Sequence, residues 1–170
     1  MTNQAGSSTK IAFIDIFVFE DGAIRGGVLV TDVETRPYEF RVTSPIKPTQ
    51  LQKILYGSSL TEYVYGELIC QPLLRQVKEK ISLAIAKNDN LLVARPGLPF
   101  PLVIVQKGQA GNPDNSLNTL IVHAHSGFPG EQAQAEILIN TFAQQHDIFE
   151  PFERIKLAVA EAHKQNIDKR

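Results

Sequence analysis

The 170-residue chain has few of the residues that mark several protein classes. It contains one cysteine, no tryptophan, and 17 basic against 18 acidic residues, for a net charge of −1. A single cysteine excludes an internal disulfide and suits a reducing compartment. Such balanced charge disfavours a dedicated nucleic-acid-binding protein. The remaining route to nucleic-acid binding is a local basic patch, whose candidates are Lys47, Lys53, Arg75, Lys78 and Lys80.

Long apolar runs are also lacking. No stretch reaches the roughly 18–20 apolar residues of a membrane span. The first nine residues, MTNQAGSST, show neither the basic nor the apolar region of a signal peptide. We therefore expect a cytoplasmic protein with no membrane partner. We expect a disordered lead over residues 1–9, one domain over 10–165 and a C-terminal tail over 166–170.

The spacing of apolar residues predicts an α/β fold in which helices pack on one mixed sheet of about six strands. The predicted strands cover residues 10–19, 24–31, 38–43, 82–87, 101–106 and 117–125. The first three should form an antiparallel meander. Asp21-Gly22 is a strong two-residue hairpin signal, and a turn there would place Asp15 opposite Val28.

Capping signals delimit the helices. Thr49 and Gln52 have capping-box spacing, and Gly57 is a natural end for a short helix with an apolar face at Leu51, Ile54 and Leu55. A longer helical stretch, opened by a second capping-box spacing at Ser59, should run to residue 80 with a kink or break at Pro72. Further helices should cover about 131–145 and the region after 147.

Asp15 is the only charge in Lys10–Phe19, a strand that is apolar on both faces. Such a strand is normally covered on both sides, and an unpaired buried carboxylate is too costly to keep. Asp15 is therefore either a structural carboxylate, hydrogen-bonded to backbone or to Arg25, or part of a site where the sheet opens.

His123 and His125 are two residues apart on a predicted strand, so both project from one face. They form half of a metal site if Glu131, Asp147 or Asp15 supplies the other ligands. The alternative is a pair of half-exposed or hydrogen-bonded histidines. Cys70 lies among leucine and isoleucine residues, as a packed core thiol does.

The element order, a three-strand meander followed by helices, further strands and a late helix, resembles the ribonuclease-H-like arrangement. The resemblance covers about the first hundred residues and no sequence motif. It implies a carboxylate set, built from Asp15 in the first strand, that holds divalent Mg²⁺ or Mn²⁺ for phosphodiester cleavage. The candidates are Asp15, Glu62 or Glu67, Asp89, and one of Glu150, Glu153 and Glu161.

Two function classes remain open, and the sequence does not decide whether the chain is an enzyme. No catalytic motif is complete, which favours a non-catalytic binding or assembly module that self-associates. The final helix, with apolar residues at four- and three-residue steps from Ile148 to Ala162, packs on the sheet or on a second subunit. The alternative is a metal-dependent phosphoester hydrolase that uses Mg, Mn or Zn. Its site would be Asp15, Glu67 and Asp89, or the histidine pair.

Overall fold

In the computed structural model, which describes residues 9–108 and 120–165, six strands form one mixed sheet. They are β1 (Lys10–Val18), β2 (Ile24–Asp32), β3 (Pro37–Val42), β4 (Leu83–Ala86), β5 (Leu102–Lys107) and β6 (Leu120–Ala124). Their order across the sheet is β3-β2-β1-β4-β5-β6. β4 is parallel to both β1 and β5, and the other neighbours are antiparallel. The predicted single mixed sheet with packed helices is confirmed.

The helices are α1 (Gln50–Tyr56), α2 (Leu60–Glu62), α3 (Gln71–Gln76), α4 (Glu131–Ala143) and α5 (Glu150–Gln165). α2 continues through a π-helical segment, Tyr63–Cys70, directly into α3. The chain leaves α geometry at Tyr63 and regains it at Gln71, so Pro72 lies in the first turn of α3, where proline is tolerated. The helical stretch ends at Gln76, short of the predicted residue 80. A 3-10 segment, Asp89–Gly97, follows β4. Within the described residues, no helix is long and apolar enough to cross a bilayer.

Both faces of β1 are covered, which explains its two apolar faces. Ile11 and Phe13 pack with α4 and α5, and the Phe13 ring meets the Phe152 ring edge-on at 5.5 Å between centroids. Ala12 and Ile14 pack against the other helical layer, which comprises the π-helical segment, α3 and the 3-10 segment. Cys70 is fully buried in that layer, and burial raises the pKa of its thiol to about 12. The predicted core thiol is confirmed.

The β1–β2 hairpin differs by one residue from the predicted register. Asp15 pairs with Gly27, not with Val28. Phe19 N–H donates to the Ala23 carbonyl, and Gly22 has a φ of +84°, so the loop has three residues instead of two. Three-residue loops that end on a left-handed glycine are the next most common hairpin type, and the extra residue shifts every pair.

Gly26 and Gly27 let helices from both layers approach β2. A Cβ on Gly27 would lie 2.5 Å from Val159 of α5, and one on Gly26 would lie 2.2 Å from Ile69 of the π-helical segment. The predicted apolar seam is buried, at Ile148 just before α5 and at Phe152, Ile155, Val159 and Ala162 within it. The sheet is therefore the partner of this seam. Self-association through α5 stays a prediction that must use its other side chains.

Candidate functional site

Asp15 meets Lys87 where β1 passes the end of β4. The two strands are parallel, and Ile14 pairs with Ala86, so the next residue along each strand brings the two charges side by side. Asp15 Oδ2 lies 3.5 Å from Lys87 Nζ, and Asp15 Oδ1 accepts a hydrogen bond from Ile16 N–H at 2.9 Å. The Asp15 side chain is 13% exposed and that of Lys87 is 40% exposed.

Two kinds of effect on the pKa of Asp15 oppose each other. Burial raises the pKa of Asp15, while the Ile16 N–H and the Lys87 ammonium group act to lower it. Lys87 Nζ also lies 5.0 Å from the centroid of the Phe152 ring on α5, which is a cation–π distance. The carboxylate thus obtains a hydrogen bond and a neutralising charge from residues of the chain itself.

The other predicted carboxylates have different neighbours. Asp89 Oδ1 accepts a hydrogen bond from Gln106 Nε2 at 3.0 Å. Glu67 lies on the π-helical segment, whose layer packs on the sheet face opposite to α5, whereas Asp15 faces the α5 layer. Glu150 pairs with Arg154, one turn further along α5. The sheet therefore separates Glu67 from Asp15.

A divalent metal ion does not fit the residues around Asp15 as they stand. Mg²⁺ and Mn²⁺ need several oxygen ligands, and the nearest charged group to Asp15 is a cation. Among residues 9–108 and 120–165, no group of three or more His, Cys, Asp and Glu side chains is placed to hold a metal ion. The carboxylate set implied by the fold resemblance is not assembled in this arrangement.

The two histidines lie at the end of β6, an edge strand, as their spacing predicts. His123 is exposed, and His125 Nδ1 accepts a hydrogen bond from Gly127 N–H at 2.9 Å. Each proposed third ligand is engaged elsewhere. Asp147 Oδ1 accepts from Phe149 N–H, and Glu131 binds Arg95. Among the described residues no third ligand is placed beside the two histidines, and their role as metal ligands stays a prediction.

The sequence does not predict the pair formed by Arg95 and Glu131. The Arg95 guanidinium donates to both Glu131 carboxylate oxygens and, through Nη1, to the Leu98 carbonyl at 2.7 Å. It also lies 3.9 Å from the Phe128 ring centroid. Both side chains are at most 14% exposed. This pair fastens the 3-10 segment to the first turn of α4, and no local pattern connects residues so far apart in sequence.

Helix α1 exposes its apolar residues to solvent. Both predicted caps are present: Thr49 and Gln52 form the capping box, and Gly57 N–H donates to the Lys53 carbonyl. Yet α1 buries no residue. Leu51, Ile54 and Leu55 are 64%, 67% and 72% exposed. Contiguous apolar surface on a soluble protein typically marks an interaction site.

A groove of about 350 Å³ begins at the C-terminal end of α1. The rings of Tyr56 and Tyr63 stack at 4.5 Å between centroids. Val93, which is 43% exposed, supplies an apolar wall. The groove is lined by Tyr56, Ser59, Glu62, Tyr63, Glu67 and Val93. Two of the carboxylates predicted as metal ligands thus line an aromatic groove beside an exposed helix.

Comparisons with known proteins add only distant structural likenesses. No protein-family model and no curated protein matches the sequence. The structure is similar to a crystal structure of human ENDOV, with a TM-score of 0.44 and 14% identity over 65% of this chain and 52% of that one.

It is also similar to Ciona intestinalis endonuclease V in complex with a 24mer DNA that contains an inosine followed by a ribo-adenosine. The TM-score is 0.41 and the identity 12%, over 81% of this chain and 58% of that one. A single-residue variant of that protein, bound to a 23mer DNA, gives the same TM-score at 10% identity. The chain spans about half the length of these structures.

Proposed function

We propose that the protein is a non-catalytic binding and assembly module that docks on a protein partner through α1. The exposed apolar face of α1 carries this proposal. A seven-residue helix is too short to be stable in water by itself, and most helical stability in proteins comes from packing an apolar face. α1 is capped at both ends and presents such a face, but buries none of it within the described residues. A partner that covers Leu51, Ile54 and Leu55 supplies the missing contact.

The surroundings of Asp15 support the same function. Its carboxylate is balanced by Lys87 and bonded to the Ile16 N–H, which is the arrangement expected of a structural charge in a covered strand.

Thermal unfolding of the triple variant Leu51→Ser/Ile54→Ser/Leu55→Ser tests whether this face is used for docking or for folding. Substitution of exposed residues usually changes stability by less than about 0.5 kcal/mol each. We therefore expect the Tm in dilute solution to stay within about 6 °C of wild type. If the face packs into the fold in solution, each substitution removes about 2–5 kcal/mol, and the Tm falls by about 10 °C or more.

Two single variants calibrate the measurement. Ile69→Ser replaces a fully buried side chain and should lower the Tm strongly, and Ile137→Ser replaces one that is 71% exposed on α4 and should not. A triple variant that behaves like Ile69→Ser would overturn the docking proposal.

A second candidate function is a metal-dependent phosphoester hydrolase. One observation favours it: Asp15 lies in β1, next to the end of β4, and a ribonuclease-H-like arrangement has a metal-holding carboxylate in the middle of its first strand. Position within a fold is an analogy and not evidence of chemistry, so this candidate ranks below the binding module.

Melting curves in Mg²⁺, Mn²⁺ and Zn²⁺, with wild type and Asp15→Asn side by side, separate the two candidates. A ligand that binds only the folded state stabilises it by an amount that grows with the logarithm of its concentration over its Kd. The binding module predicts that no ion gives a Tm increase that depends on Asp15. A rise that Asp15→Asn abolishes, together with cleavage of bis-p-nitrophenyl phosphate, would establish the hydrolase.

A further inference from the structure

The tyrosine groove at the end of α1 is acidic. Glu62 and Glu67 are exposed and line it, and among the described residues no lysine, arginine or histidine does so. Within residues 9–108 and 120–165, neither carboxylate forms an ion pair. Two neighbouring carboxylates repel each other, so a cation that enters the groove lowers the electrostatic energy.

The π-helical segment brings these two carboxylates to one side of the helix. Hydrogen bonds of a π-helix join residues five apart, so Glu67 lies one turn after Glu62, which directly precedes the segment. In an α-helix the two would lie about 140° apart around the axis. Gly66 of the same segment admits the apolar wall, because a Cβ there would lie 2.3 Å from Val93 Cγ1. The groove is thus built by a local departure from α geometry, which is rare and frequent at functional sites.

Two tyrosine rings supply a second feature that favours a cation. Tyr56 and Tyr63 stack at 4.5 Å between centroids, with 16° between their planes, so each ring leaves the outer face of the other uncovered. The face of a tyrosine ring attracts an ammonium group within about 6 Å of its centroid. The pKa of Tyr56 is raised, chiefly by hydrogen bonding with Tyr63, and the charge of Glu67 contributes to the rise. The negative charge of the groove therefore acts at the aromatic pair itself.

We infer that this groove binds an alkylammonium cation. Its carbon atoms pack on Val93 and the tyrosine rings, and its charge lies beside Glu62 and Glu67. A volume of about 350 Å³ suits a small molecule or one long side chain. The same chemistry has two sources, a free aliphatic amine and a lysine side chain of a protein.

The cation site is separate from the docking face of α1. Tyr56 lies about 100–160° around the helix from Leu51, Ile54 and Leu55. The inference therefore goes beyond the proposed docking function and does not rest on it. Each can fail without the other, because the triple serine variant leaves the groove residues in place.

Amide chemical shifts of the isotope-labelled full chain, titrated with diaminobutane at low salt, test the inference. A solvent-exposed site with one cation–π contact and two carboxylates predicts a Kd of about 1 mM. The shifts should be confined to amides around residues 56–67 and Val93. Butanediol has the same carbon chain without the charges, and we expect it to bind at least about tenfold more weakly.

Variants of the groove separate the charge from the rings. Glu62→Gln/Glu67→Gln keeps the side-chain size, removes both charges and should weaken binding about tenfold. Tyr56→Leu should weaken it about two- to fivefold, whereas Tyr56→Phe keeps the ring face and should bind as wild type does. Glu153→Gln on α5 and Tyr38→Leu on β3 change exposed side chains outside the groove and should leave the Kd unchanged.

The tripeptide acetyl-Gly-Lys-Gly-amide distinguishes the two sources of the cation. Binding at least as tight as that of diaminobutane identifies a lysine side chain as the occupant, and weaker binding identifies a free amine. The inference is overturned if neither probe shifts the groove amides at about 20 mM. It is equally overturned if butanediol binds as well as diaminobutane, or if Glu62→Gln/Glu67→Gln binds as wild type does.

Discussion

At the scale of single residues, Asp15 shows how a charge is kept inside an apolar strand. Its carboxylate has one backbone donor and one ammonium neighbour, and its side chain is mostly buried. Burial still dominates, because the pKa of Asp15 is raised despite both interactions. The ionised carboxylate therefore destabilises the fold at neutral pH.

The pH dependence of this destabilisation has a definite sign. A group with a raised pKa in the folded state contributes stability that is complete below its ordinary value, 3.8 for Asp15, and is lost as the pH rises through the folded value. Asp15→Asn removes the ionisable group, so the variant does not lose this stability as the pH rises. We expect the Tm of the variant to match wild type near pH 3.5 and to exceed it at pH 7.

Asp21→Asn is the control of opposite sign. The Ala23 N–H is the main cause that lowers the pKa of Asp21, so the carboxylate stabilises the fold above its ordinary pKa, and the benefit is lost as the pH falls through the folded value. This variant should lose Tm at pH 7 and converge on wild type in acid. An Asp15→Asn variant that is less stable than wild type at pH 7 would show that the Lys87 pair outweighs burial.

At the scale of elements, local signals located the helix α1 correctly but did not report its exposure. A capping box and a C-terminal glycine act within one turn, and both ends of α1 agree with the prediction. Whether Leu51, Ile54 and Leu55 find a neighbour depends on the path of the rest of the chain. The hairpin register failed for a related reason, because Asp-Gly is compatible with loops of two and of three residues.

The contact between α5 and β2 depends on the absence of a side chain at Gly27. A Cβ there would lie 2.5 Å from Val159 Cγ2 and 2.9 Å from Ile155 Cγ2, which is closer than atoms pack. Gly27→Ala should therefore lower stability by about 1–3 kcal/mol through overpacking, or roughly 2–12 °C in Tm.

The pairing can be checked by compensation. Val159→Ala removes one of the two opposing methyl groups, so Gly27→Ala/Val159→Ala should lose less stability than the sum of the two single variants. Additive losses in thermal or urea unfolding would mean that the alanine at position 27 is accommodated in another way.

At the scale of the whole molecule, the sheet separates the charged groups that the sequence offered as one site. Asp15 lies on the face covered by α5, and Glu67 lies on the layer that covers the other face. Asp15 forms an ion pair with Lys87, Asp89 accepts a hydrogen bond from Gln106, and Glu131 forms an ion pair with Arg95. Among the residues that the structure describes, α1 is a helix whose apolar side chains no other element buries, and this is the observation behind the proposed docking function.

The sequence by itself determined what depends on near neighbours. Alternation of apolar residues indicated the strands, capping residues indicated both ends of α1, and an all-apolar strand predicted cover on both sides of β1. The tertiary structure alone decided which residues meet across these elements. Lys87 stands beside Asp15 only because β4 lies parallel to β1, and Arg95 reaches Glu131 across 36 positions. Such contacts depend on strand order and layer packing, and no local spacing in the chain encodes either.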